Sequence, residues 1–174
     1  ASAEPRAPRG ARQGPRLVYL PRVETPHLAR VIVYPIKSLD GAEVGEAEIT
    51  ARGGLSHDRR FAMRDRAGRI INGKRTEAVH RVRARWDLAA DEVAVWRQGD
   101  AAAERRFHLD RDRDELAGWL SATIGMDLEL DEDPDGGFPD DPDASGPTVV
   151  ALASLEAVCG WFPESSLEGV RRRF

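Results

Sequence analysis

Lysine is almost missing from this chain. Of its 26 basic side chains only Lys37 and Lys74 are lysines, and the other 24 are arginines. Cysteine is scarcer still. Cys159 stands alone, which excludes an internal disulfide and a multi-cysteine metal cluster and fits a reducing, cytoplasmic compartment. No run approaches the ~18 apolar residues of a membrane helix, and the N-terminus lacks an apolar leader, so a soluble protein with no membrane partner is expected. Histidines 27, 57, 80 and 108 are scattered without metal-ligand spacing. Gly53-Gly54 is not followed by a nucleotide-binding glycine fingerprint.

What is present is charge, at 32% of residues, beside an apolar fraction of 41% that suffices for a core. The length of 174 residues allows one domain, or one domain and part of another. Residues 1–27 carry five arginines and two glutamates, net +3; the whole chain is −4, which leaves −7 for the rest. That first stretch, rich in Pro, Ala, Arg and Gly, predicts a disordered basic arm. Its arginines lack interleaved aromatics and the remainder is acidic, so nucleic acid is not an expected partner.

The elements that follow read as mainly β. Arg30-Val31-Ile32-Val33-Tyr34 is short and β-branched, and Pro35 ends the ladder. Asp40-Gly41 is a turn signal, Val44 to Thr50 alternates like a strand of mixed burial, and Gly53-Gly54 permits a sharp turn. Arg60 to Arg64 predicts a strand, with Asp65-Arg66-Ala67-Gly68 as hairpin loop and Arg69-Ile70-Ile71 as its return. Asn72-Gly73-Lys74-Arg75 is a further turn. Val82 to Leu88 and Glu92 to Trp96 pair about Ala90-Asp91, with Arg105 to Leu109 as a third partner. Short strands at this spacing predict an antiparallel meander curling into a small barrel.

Helical spacing begins at Leu116, Trp119, Leu120 and Ile124, with Asp112 or Asp114 as cap and Gly125 as stop. Asp127 to Asp143 holds nine acids, three prolines and no base, predicting an extended acidic loop whose spacing does not match a calcium motif. Val149 to Leu152 reads as a strand. Ser154 would cap a helix through Phe162 that packs Cys159 between Val158 and Trp161, and Ser165 or Ser166 a second helix. The expected class is therefore β with minor α. Residues 1–27 form an arm, 28–126 an antiparallel β-barrel with one or two helices, 127–147 an acidic linker, and 148–174 the truncated beginning of a second β-barrel domain, whose helices would expose apolar faces.

One constellation carries chemistry. Lys37-Ser38 follows a strand, and an ammonium with a neighbouring hydroxyl suits phosphate oxygens. Asp58-Arg59-Arg60 offers two guanidinium forks. Neighbours on a strand point to opposite faces, so one arginine at most should meet a given ligand, with Asp58 to orient it. An exposed rim of ordinary charges explains the same spacing. His57 beside Asp58 does not make an acid/base pair if both lie on a strand.

Three runs, Tyr34-Pro35-Ile36-Lys37-Ser38-Leu39, Gly54-Leu55-Ser56-His57-Asp58-Arg59-Arg60-Phe61-Ala62-Met63 and Asp65-Arg66-Ala67-Gly68-Arg69, together resemble the MOSC N-terminal β-barrel domain over roughly residues 28–110. Val150-Ala151-Leu152-Ala153-Ser154-Leu155-Glu156-Ala157 is similar to the opening of a MOSC domain, and Arg173-Phe174 to the start of its Arg-Phe-Arg-Pro-Asn motif. The resemblance implies binding of the molybdenum cofactor, molybdopterin, with its phosphate held by Lys37, Ser38 and Arg60, and with Arg59 as the neighbouring candidate. It further implies a molybdenum-dependent oxidoreductase acting on N-oxygenated compounds with a ferredoxin-type or other electron donor, or a sulfur carrier in cofactor maturation. Pyridoxal phosphate binding is a further implication of the resemblance. The metal-ligating cysteine of the family has no match in Cys159, so no metal ligand and no catalytic residue is expected here, and this stretch alone should be inactive. Asn72 stands where many relatives have threonine. The alternative is a non-catalytic β-barrel interaction module without cofactor.

Overall fold

The computed structural model describes residues 25–171. The arm before residue 25 and Arg172 to Phe174 lie outside the described residues. The strands are β1 (Val31–Val33), β2 (Ala42–Val44), β3 (Phe61–Asp65), β4 (Val82–Asp87), β5 (Glu92–Arg97), β6 (Arg105–His108) and β7 (Leu128–Glu132). The helices are α1 (Arg113–Ile124), α2 (Leu152–Trp161) and α3 (Leu167–Arg171). The fold is mainly β with a helical minority, as the sequence predicts.

The ladders form small antiparallel sheets. β4 pairs β5 from Val82 opposite Arg97 to Asp87 opposite Glu92, and β6 continues on the far side of β5. β1 pairs β2. β3 pairs β7 from Phe61 opposite Glu132 to Asp65 opposite Leu128. The alternation of Val82, Ala84, Val93, Val95 and Phe107 turns one face of the three-stranded sheet inward, where Leu116, Leu120 and Ile124 of α1 complete a single core with Phe61, Met63, Leu128 and Leu130. Burying a side chain of this size contributes about 1.5–3 kcal/mol, and this cluster is the main source of stability. Gly125, at φ 84, closes α1 in the left-handed conformation that glycine adopts without a Cβ penalty.

Five expectations need correction. The acidic stretch 127–147 is not loop throughout, because Leu128–Glu132 is a strand. Leu128 and Leu130 fill the core while Asp131 and Glu132 meet Arg64 and Arg60, so cations from the partner side relieve the self-repulsion. Val44 to Thr50 is not one strand; the ladder stops at Val44, and only an isolated bridge, Ile49 to Leu55, remains, around the Gly53 turn at φ 86. The return at Arg69-Ile70-Ile71 is likewise a bridge, Arg64 to Ile70, made by Asp65 N to Arg69 O at 3.0 Å and Ile71 N to Met63 O at 2.8 Å, while the full ladder of β3 is with β7. Val149 to Leu152 forms no strand: helix α2 begins at Leu152 behind Ala151, not behind Ser154. Asp112 does precede α1, but its carboxylate turns back to accept from His108 N at 2.9 Å and does not cap the helix.

Candidate functional site

Lys37 is held beside the start of β3 by main-chain bonds. Arg59 N donates to Tyr34 O at 2.7 Å, Phe61 N to Pro35 O at 2.9 Å and Lys37 N to Phe61 O at 2.9 Å. This parallel stitch, with its bridge between Ile36 and Phe61, brings the two separate motifs of the sequence together. It also buries Lys37, whose side chain is 8% exposed. A buried ammonium needs partners for its three donors. Nζ donates to Phe138 O at 2.7 Å and to Asp140 Oδ1 at 2.8 Å.

Asp140 is the focus of further positive charge. Lys74 Nζ lies 3.6 Å from its second oxygen, Oδ2. The Lys37 hydrogen bond, then the charges of Lys37, Lys74 and Arg59, hold the Asp140 carboxyl below its ordinary range. Arg59 Nε lies 3.7 Å from Asp58 Oδ2, and Asp58 Oδ1 accepts from Tyr34 N at 2.8 Å. Asp58 thus orients Arg59, while burial pushes its own carboxyl pKa up against that hydrogen bond and the Arg59 charge.

The backbone here is unusual. Ser38, His57 and Arg59 have φ of 72°, 64° and 52°, three of the four non-glycine residues with positive φ among those described. Each such residue costs about 1–2 kcal/mol, and clusters of them persist where the surroundings over-determine them, commonly at functional sites. Ser38 keeps its place next to Lys37 but in this left-handed turn. His57 is exposed on another such turn, so no acid/base pair forms with Asp58.

The chain that brings Asp140 here is anchored, not loose. Asp133 N donates to Arg60 O and Phe138 N to Arg59 O, both at 2.9 Å. Gly137, at φ 61, lies so close that a Cβ would stand 2.7 Å from Asp58 O and 2.9 Å from Arg59 O. Only glycine allows that approach.

Arg60 goes elsewhere. Its Nε donates to Glu132 Oε1 at 2.7 Å, Nη1 to Asp91 Oδ1 at 3.0 Å, and Nη2 reaches Asp110 Oδ1 at 3.5 Å. Its guanidinium stacks 4.8 Å from the Phe61 ring centre, and Arg113 stacks at 5.2 Å while bonding Glu132 and Asp110. Lys37 and Arg59 thus both bear on Asp140, while the Arg60 guanidinium is taken up by Glu132, Asp91 and Asp110. Asp91, His108 and Asp110 bring potential ligand atoms within 4.8 Å of one another. Their carboxylates serve Arg60, and His108 Nδ1 accepts from the main-chain N of Asp110 and Arg111.

The sequence missed Asp140 and Arg113. Neither carries a local signal, since Asp140 is one of nine acids in its stretch and meets Lys37 only through contacts 101–103 residues apart in sequence. Lys74 was signalled by the rarity of lysine alone.

Comparison with known families supplies the class. The description of the MOSC N-terminal beta barrel domain matches residues 25–128. The chain belongs to that family, which is associated with the molybdenum cofactor. The pairing of β3 continues to Glu132, a few residues past the match. No curated protein matches the chain. Among the described residues, no helix is long and apolar enough to cross a membrane.

Proposed function

We propose that this chain is the cofactor-holding N-terminal part of a molybdenum cofactor-dependent protein, in which Lys37, Ser38 and Arg59 bind the phosphate end of molybdopterin. One observation carries the reading: a buried ammonium reaches an anion that Arg59 and Lys74 also attract. The Asp140 carboxylate is a stand-in for phosphate oxygens, and the donor set is one that phosphates favour. The fit stops at that end of the cofactor. Cys159 lies half-buried in α2, away from any role at the anion.

The finer reading follows the family resemblance. The protein would be an oxidoreductase for N-oxygenated compounds fed by a ferredoxin-type or other donor, or a sulfur carrier in cofactor maturation. Residues 148–174 would open its second domain, a reading supported by the exposure of Val149, Trp161 and Phe162. The bound group supplies the redox or sulfur chemistry. The residues of this chain bind and orient its phosphate and make no bond. Pyridoxal phosphate, another phosphate monoester, would meet the same cations.

Protein purified from a host that makes molybdopterin tests this. Lys37→Ala and Arg59→Ala should each lower pterin and molybdenum content about tenfold, the loss of one charged hydrogen bond. Arg60→Ala should leave the content per folded molecule unchanged. Unaltered content in both of the first two variants would overturn the assignment.

A further inference from the structure

The anion that occupies the cationic corner belongs to the chain itself. Asp140 offers one oxygen to Lys37 at 2.8 Å and the other to Lys74 at 3.6 Å. Its side chain is 59% exposed while that of Lys37 is 8% exposed. The acid is thus the outer, removable member of the pair, and the lysine is the fixed one. Lys37 has a second acceptor, Phe138 O at 2.7 Å, so it keeps a partner when the carboxylate leaves. The loop is anchored by Phe138 N on Arg59 O, two residues before the acid, so the acid can turn away without the loop detaching.

We infer that Asp140 is a built-in competitor for this site: a phosphate-bearing ligand binds by turning its carboxylate out, and Lys74 is the third cation that receives the incoming charge. The inference rests on the anion-site reading above. Its ligand class is a phosphate monoester or phosphate itself, since a dianion gains more than a single carboxylate from three cations around one point. Lys74 is 80% exposed and stands at the mouth, so it contributes less than Lys37.

Calorimetric titration of the whole chain with inorganic phosphate, at neutral pH and low salt, tests it, with a phosphate monoester as a second titrant. Asp140→Asn should bind phosphate about tenfold tighter than the parent, because a competing charged hydrogen bond is removed. Asp141→Asn removes the same charge one residue on, where the carboxylate serves only its own turn through Asp143 N, and should bind like the parent. Lys74→Gln should weaken binding about threefold in the Asp140→Asn background. A preference for the monoester over free phosphate would mark an organic ligand as the guest. Equal gains in Asp140→Asn and Asp141→Asn would show a general charge effect and overturn the inference. Equal affinity in the parent and Asp140→Asn would overturn displacement while leaving the anion site in place. Absence of phosphate binding in every variant would overturn both.

Discussion

Arg59 and Arg60 are neighbours with the same side chain, and they do opposite things. Arg60 lies over Phe61 with three carboxylates, Glu132, Asp91 and Asp110, around it. Arg59 leans on Asp58 and faces the corner where Lys37 and Lys74 share Asp140. Around Arg60, acids outnumber the two arginines and the charges are consumed internally. Around Arg59, cations outnumber the acids that meet them, and only an exposed carboxylate closes the balance. A surplus of cations met by one exposed carboxylate suits a guest anion, whereas a cluster whose charges are hydrogen-bonded to one another suits a structural role.

The comparison breaks most visibly in stability. Arg60→Ala leaves Asp91 without its cation and Glu132 and Asp110 with Arg113 alone, in a region where the arginine is 22% exposed, and should cost about 2–3 kcal/mol by urea unfolding. Arg59→Ala, with a single ion pair at 3.7 Å, should cost under about 1 kcal/mol. Equal losses would erase the distinction between the two corners.

A smaller effect is expected from Gly137→Ala. The new Cβ would press on Asp58 O and Arg59 O from a positive φ, costing about 1–2 kcal/mol and lifting Asp140 from Lys37. A structure of the variant with the 2.8 Å contact intact would show that the loop is held by something other than this approach.

The smallest effect is a pH dependence. Burial holds Asp58 above the ordinary 3.8, so the folded chain keeps that proton more readily than the unfolded one. The contribution of Asp58 to stability is full below about pH 3.8 and falls as pH rises through the raised value. Asp58→Asn keeps an acceptor for Tyr34 N and lacks this fall. Its stability relative to the parent should rise across that window, and a flat difference would contradict the burial account.

The fold was largely legible because its signals are local. Alternation at Val82–Asp87 and Glu92–Arg97 predicts the hairpin, and helical spacing with Gly125 predicts α1. Leu128–Glu132 was not legible, since composition marks it as acidic loop and only pairing with β3 makes it a strand. The site was half legible. Lys37 and the arginine pair are visible as motifs, and the two arginines do part company, Arg59 to Asp58 and Arg60 to Glu132, Asp91 and Asp110. The reason differs from the expected one. β3 begins at Phe61, and Arg59 is diverted by its left-handed backbone, not by strand alternation. No spacing rule selects between the two arginines, because the carboxylates that claim Arg60 come from residues 91, 110 and 132.

The glycine that lays Phe138 onto Arg59, Gly137, has a kinetic corollary. Because the main chain stays fixed up to Phe138, clearing the corner takes the rotation of one exposed carboxylate, a motion of picoseconds to nanoseconds. Association of a phosphate should therefore remain second order to high concentration, with no plateau from a slow opening step.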